Sequence, residues 1–226
     1  MRKHLVLWLV LICCASVPAQ AQTWIEGRNY FRIVPAQNTH VAPGKIEVTE
    51  VFSYACPFCA QFNPYVQALQ RALPANAALD FLPASFNPAE DWPMFQRATC
   101  TAQILGILDR THAAMFAAVW TTGELAITDP QTRRLKNPLP TIEDAARFYH
   151  RLTGVAEDKF LATAKSFSVD MKMRSDDALV QAYHVDGTPT LIVNGKYRIT
   201  GVSAGGMPQM IDIARWLVAR EAGEAH

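Results

Sequence analysis

Cysteine is scarce in this chain. There are five in 226 residues, and Cys13 and Cys14 fall in its opening stretch. Beyond that stretch only Cys56, Cys59 and Cys100 remain, an odd and small number that is not the composition of a disulfide framework. A second Cys-x-x-Cys is lacking, as is any close His-x-x-His. His40, His112, His150, His184 and His226 are scattered, so a four-ligand metal site finds nothing to complete it. Charge of one sign is not in excess either. Lysine and arginine number 21 against 20 acidic residues, and Arg2 and Lys3 belong to the opening stretch. That balance gives no footprint for nucleic acid or for an anionic membrane surface. Long repeats, low-complexity tracts and Gly/Ser linkers are also missing, and the length suits one core or one core with a sizeable insertion.

What is present begins with a leader. Arg2 and Lys3 precede an uncharged apolar run, Leu5 to Ala15, and Ala19-Gln20-Ala21 offers small residues where a signal peptidase reads. This predicts an export signal over residues 1–21, cleaved after Ala21, with an apolar run too short for a comfortable membrane span. Ile12 and Cys13 are poor neighbours for a lipid-modified cysteine, so Cys13 and Cys14 are expected to leave with the signal. Export would place the rest in an oxidising compartment.

Along the exported part, Tyr30 to Val34 is a short β-rich run, and Lys45 to Tyr54 reads as a central strand. Phe62, Val66, Leu69 and Leu73 form a helix face over Ala60 to Leu73, where Pro64 should kink the helix or confine its regular part downstream. Leu79 to Pro83 reads as the next strand. A helical block follows. It comprises Asp91 to Leu108 with Asp91 as its cap, Arg110 to Trp120, a proline-bearing connection over Leu125 to Pro140, Ala145 to Leu152, and Val155 to Phe167. Ser175 to Tyr183 opens with a cap-like SDD. The β signal returns at Thr190 to Val193 and Lys196 to Thr200 across an Asn194-Gly195 turn, and Met207 to Arg220 closes as an amphipathic helix. Strands on both sides of a helical block predict an α/β domain interrupted by an inserted all-helical subdomain. The expected divisions are 22–90, 91–174 and 175–226.

The chemistry centres on SYACPFCAQFNP, Ser53 to Pro64. A Cys-x-x-Cys pair can hold a metal, staple a loop or pass electrons. A staple here would close a very short loop and gain little from chain entropy. A redox role accounts for more of the local sequence. At a helix start, Cys56 meets unpaired backbone N–H groups and the positive end of the helix dipole, and both favour its thiolate. Pro57 suits the first helical turn, where no N–H is required. Cys59 lies one turn along and should be less exposed. Cys56 is then the sulfur that attacks or is attacked, and Cys59 the one that resolves. A stabilised thiolate stabilises the dithiol form, which makes the disulfide a stronger oxidant. Strand alternation alone makes Glu50 a solvent-facing residue near Glu47 and Thr49. Cys100, inside an apolar helical stretch, reads as a small buried hydrophobe.

CPFC at Cys56 to Cys59, joined to a signal, a helical block and VDGTPTLIVNGKYRITG at Val185 to Gly201, resembles the DsbA family of periplasmic thiol:disulfide oxidoreductases. The likeness runs through almost the whole exported chain. It implies a thioredoxin fold with a helical insertion, a periplasmic location, no cofactor and a monomer. It further implies that Cys56 is the nucleophile and Cys59 its partner. Thr188-Pro189 would be a cis-proline loop facing the disulfide, and Pro57 and Phe58 would contact substrate. Glu50 would be a buried acid that moves a proton to or from Cys59. Clients would be newly exported proteins with cysteine pairs, and the reoxidising partner a membrane quinone reductase of the DsbB kind. Phe58 stands where many members have histidine, Thr188 where many have valine, and Asn63 where some carry an acid. CPFC also occurs in a specialised oxidase branch, DsbL. Reductase or isomerase action, or a peptide-binding module with an incidental disulfide, are the alternatives. Only Gln22 to about Tyr30 precedes the first strand, which leaves no room for an isomerase's N-terminal dimerisation domain.

Overall fold

A computed structural model describes residues 23–224. The expected leader, with Cys13 and Cys14, lies outside the described residues. Five strands form one mixed sheet: β1 (Phe31–Arg32), β2 (Ile46–Phe52), β3 (Ala77–Pro83), β4 (Thr190–Val193) and β5 (Tyr197–Thr200), in the order β1-β5-β4-β2-β3. β2 pairs in parallel with β3 and antiparallel with β4, which places it second from the edge. The parallel step is bridged by helix α1 (Pro57–Ala72). Between β3 and β4 come α2 (Trp92–Ile104), α3 (Leu108–Trp120), α4 (Ile142–Thr153), α5 (Glu157–Ala164) and α6 (Phe167–Ala182). A short α7 (Gly201–Ala204) and a long α8 (Met207–Glu224) follow the hairpin. This is a thioredoxin fold carrying a helical insertion.

Every residue of β2 is buried, polar ones included. The sheet is covered on both faces. Val48 and Phe52 point into the larger core with Phe62, Val66, Phe116 and Leu217, while Val51 and Ile192 pack under Val180 and Tyr183. Alternation along β2 therefore separates two interiors, and the solvent-facing expectation for Glu50 is overturned: its exposure is 0%.

The strands and the hairpin lie where the sequence predicts them. Asn194 and Gly195 both adopt positive φ, and a β-carbon on Gly195 would sit 2.2 Å from the Gln37 carbonyl oxygen, so glycine is required there. Other boundaries differ. α1 starts at Pro57, as the placing of Cys56 at a helix start implies and one turn ahead of the apolar face read over Ala60 to Leu73, and it continues through Pro64. The 91–108 stretch ends as α2 at Ile104, and Gly106 with φ of 66° separates it from α3. Asp91 does stand at the N-cap of α2, but in left-handed conformation and without a side-chain capping bond. The expected helix over Val155 to Phe167 is cut short because the Ser166 hydroxyl accepts from the Val169 N–H and begins α6 there. The SDD run is consequently mid-helix, where Lys172 pairs with Asp176 at 3.1 Å, and the division expected between 174 and 175 falls inside α6.

Candidate active site

The site forms where β2 feeds α1. The Cys56 N–H donates to the Ser53 carbonyl at 3.1 Å and the Ala55 N–H to the Ser53 hydroxyl at 3.2 Å, a tight turn that delivers Cys56 to the helix N-cap. The indole N–H of Trp120, from α3, donates to the Tyr54 carbonyl at 2.7 Å and ties the insertion to this turn. Cys56 is extended at φ −86° and ψ 117°, and its sulfur accepts from the Cys59 N–H at 3.4 Å. The sulfur thus occupies the place of a capping oxygen, facing the otherwise unpaired donors of the first turn.

Opposite stands the loop before β4. The Thr188-Pro189 peptide is cis, as the resemblance implies, and the Thr190 hydroxyl closes the loop by donating to the Gly187 carbonyl at 2.7 Å. The Cys56 thiol lies 3.5 Å from the Thr188 carbonyl oxygen, across 132 residues of sequence. The Thr188 hydroxyl faces the sulfurs. Beside this pair runs a groove lined by Phe31, Phe58, Pro189, Val202 and Met207, with Arg28 and Arg198 among its polar residues. Phe58 is 59% exposed and Val202 95%, so two large apolar side chains stand in solvent at its walls.

The two sulfurs differ sharply. Cys56 is 4% exposed and Cys59 is 0%. The Cys56 thiol is lowered to about 6, chiefly by the hydrogen bond from the Cys59 side chain. The Thr188 side chain and the backbone N–H groups of Cys59 and Phe58 help, while burial opposes. Cys59 is driven well above the usual thiol range, first by burial and then by the neighbouring Cys56 and Glu50. One sulfur is made to carry charge and the other to carry a proton.

Glu50 lies in β2 with neither carboxylate oxygen hydrogen-bonded. Burial, aided by Cys56, pushes its carboxyl up to about 8. Its Oε2 is 3.9 Å from Nε2 of His112, a buried residue of α3 whose Nδ1 is 2.9 Å from the Tyr54 hydroxyl. In the sequence His112 is one of several scattered histidines. A sharper signal exists: it falls four residues after Leu108 and four before Phe116, on the apolar face of its helix. Pro57 and Phe58 are exposed in the first turn of α1, and Asn63 is buried with its Oδ1 unpartnered. Cys100 lies apart in α2, its thiol donating to Asp176 at 3.3 Å.

A buried, reactive-geometry dithiol at the mouth of a helix, faced by a cis-proline loop in this fold, defines a thioredoxin-class redox site. A family model described as "Thioredoxin" matches residues 42–212. The chain is 32% identical over 228 residues to the thiol:disulfide interchange protein DsbA of Pseudomonas aeruginosa, covering 99% of each. It is 34% identical to the DsbA of Pseudomonas syringae pv. tomato, covering 99% of this chain and 98% of the relative. The crystal structure of Pseudomonas aeruginosa DsbA superposes with a TM-score of 0.74 at 33% identity, covering 89% of this chain and 96% of that one. That of oxidoreductase DsbA from Xylella fastidiosa gives 0.74 at 31%, covering 86% and 96%. The chain belongs to the DsbA family of thiol:disulfide oxidoreductases.

Proposed function

We propose that this oxidoreductase works in the oxidising direction, donating the Cys56–Cys59 disulfide to newly exported proteins in the periplasm. In this reading a client thiolate attacks the Cys56 sulfur, the Cys56–Cys59 bond breaks, and its electron pair leaves on Cys59. The client's second thiolate then attacks its own sulfur in the mixed disulfide, and Cys56 departs as a thiolate. The client gains a disulfide and the enzyme holds two electrons and a dithiol. The observation that carries the reading is the sulfur cap. A thiolate at Cys56, held by the Cys59 N–H and lowered to about 6, stabilises the reduced enzyme and makes its disulfide oxidising.

Glu50, buried and raised to about 8, would give a proton to Cys59 as it leaves and take it back on reoxidation. The Thr188 and Pro189 loop would hold a client backbone in extended form beside Cys56, with Pro57 and Phe58 meeting its side chains. The exposed apolar groove beside the sulfurs supports that role. A membrane quinone reductase of the DsbB kind would remove the electrons, and a monomer would suffice for each step. With Phe58 between proline and Cys59, no imidazolium adds its charge, so the sulfur cap and Thr188 set the potential.

The test is the Cys56–Cys59 equilibrium against glutathione, with the ultraviolet absorbance of the thiolate titrated in the same samples. An oxidising equilibrium and a midpoint near 6 are expected. A strongly reducing equilibrium would make the protein a reductase. Client capture that survives Cys56→Ser, with no oxidation lost, would make it a binding module.

A further inference from the structure

Three side chains from separate parts of the sequence meet at the end of β2 away from the sulfurs. Glu47 and Thr49 lie on the face of β2 that carries Val51, and the parallel register sets Asp80 of the edge strand β3 opposite Thr49. His40, in the loop between β1 and β2, reaches this pair of acids. Its Nδ1 stands 3.7 Å from Glu47 Oε2 and 3.7 Å from Asp80 Oδ2, and the three atoms lie within 4.8 Å of one another. Those gaps exceed the hydrogen-bond range, which ends at about 3.2 Å. They come closer to the spacing of two ligands on one ion. With bonds of about 2.0–2.1 Å, tetrahedral neighbours stand roughly 3.3 Å apart. The Glu47 carboxylate is fully buried and already aimed, its Oε1 by the Thr49 hydroxyl and its Oε2 by the His40 N–H, and each oxygen keeps a second lone pair. Among the described residues no lysine or arginine forms an ion pair with Glu47 or Asp80. A second observation points to the same place. Tyr183, at the C-terminal end of α6, is 0% exposed in the cluster with Val51 and Leu82, and its hydroxyl has no hydrogen-bond partner. The charged groups acting on that hydroxyl are Glu47 and Asp80. A buried phenol left unpaired beside two acids marks a place for a water or an ion.

We propose that His40, Glu47 and Asp80 form a binding site for one divalent transition-metal ion of the zinc class, with water completing its ligands and the Tyr183 hydroxyl bonded to that water. One imidazole nitrogen and two carboxylate oxygens suit Zn²⁺, whereas Ca²⁺ and Mg²⁺ favour sets made of oxygen alone. The double charge of the ion balances the two carboxylates while the imidazole binds as a neutral ligand. The His40 side chain is 62% exposed and that of Asp80 37%, so the ion enters from solvent and Glu47 anchors it from within. Once bound, it ties the 33–45 loop to β2 and to the edge strand β3. It is a clamp on the fold, set at the opposite end of β2 from the exchange chemistry. No spacing in the sequence announces it, because only the pairing of β2 with β3 brings Asp80 beside Glu47.

The experiment titrates Zn²⁺ into the oxidised protein by calorimetry and follows Tm in parallel. With the Cys56–Cys59 bridge closed, those sulfurs offer no thiolate to the metal. One equivalent is expected to bind, and free Zn²⁺ at about a hundred times Kd to raise Tm by roughly 5–10 °C. His40→Ala, at an exposed position that folding tolerates, should weaken binding at least about 10-fold and remove most of the Tm rise. His150→Ala, at another exposed histidine, should change neither. Tyr183→Phe keeps the ring in the core and should weaken binding by about 10-fold, and parental affinity there would overturn the part given to the phenol. X-ray absorption at the zinc edge should show nitrogen and oxygen at about 2.0–2.1 Å and no sulfur at about 2.3 Å. Failure of the wild-type protein to take up one equivalent, affinity unchanged in His40→Ala, or sulfur in the metal shell would overturn the site.

Discussion

Glu47 and Glu50 lie three residues apart on one strand, both with 0% exposure, on opposite faces of the sheet. Glu47 is fully engaged. Its Oε1 accepts from the Thr49 hydroxyl at 2.9 Å, its Oε2 from the His40 N–H at 2.6 Å, and the His40 imidazole stands 3.7 Å away. Glu50 accepts nothing. Burial is common to both, so burial alone does not make an acid reactive. What distinguishes them is whether the fold supplies donors to the charge. The thiols differ in the same way: Cys56 is lowered chiefly by a hydrogen bond from the Cys59 side chain, with backbone N–H groups helping, whereas Cys100 is raised first by burial and then by the Asp176 carboxylate it faces.

The largest test of this contrast is pH-dependent stability of the reduced protein. Glu50 titrates near 8 when folded and near 4.5 when unfolded, so the folded state binds the extra proton between those values. Its contribution is whole below about 4.5 and declines as pH rises through 8, by about 5 kcal/mol. Glu50→Leu should abolish that decline, leaving the variant more stable than the parent at pH 8.5 in urea melts. Equal slopes in the two proteins would contradict an unsolvated carboxyl. Glu47→Ala should do the reverse. Stripping a buried carboxylate from its donors costs about 3 kcal/mol, a fall in Tm of roughly 6–12 °C, with oxidase turnover retained in the folded fraction. Next comes Phe58→His, which sets an imidazolium beside the first turn of α1. It should lower the Cys56 midpoint by about one unit or less and shift the glutathione equilibrium toward the dithiol. The smallest effect belongs to Cys100→Ala, about 1 kcal/mol for one thiol–carboxylate hydrogen bond, with the redox equilibrium unchanged. In alkylation at pH 7, Cys56 should react and Cys100 should resist.

Much of this was legible in the chain. CPFC after a strand fixed the helix start, the proline at its first position and the different fates of the two sulfurs. The Asn194-Gly195 turn located the hairpin, while the placing of the Thr188-Pro189 loop opposite the sulfurs came from the family resemblance and not from the residues alone. What escaped depended on how elements pack. Period-two alternation cannot tell a strand between solvent and core from one between two cores, so Glu50 read as exposed from pattern alone. His112 looked isolated because its partners, Glu50 in β2 and Tyr54 in the turn after it, lie some 60 positions earlier in the chain. The Ser166 cap was hidden by a more conspicuous SDD, whose local signal was outweighed by a helix already under way.

The bond from the Trp120 indole to the Tyr54 carbonyl gives the molecule its own optical gauge. Because Tyr54 is two residues from Cys56, closing or opening the sulfur bridge is expected to alter the electronic surroundings of that indole. Emission from the unlabelled protein should therefore follow each turnover in real time, and Trp120→Phe should silence most of the signal.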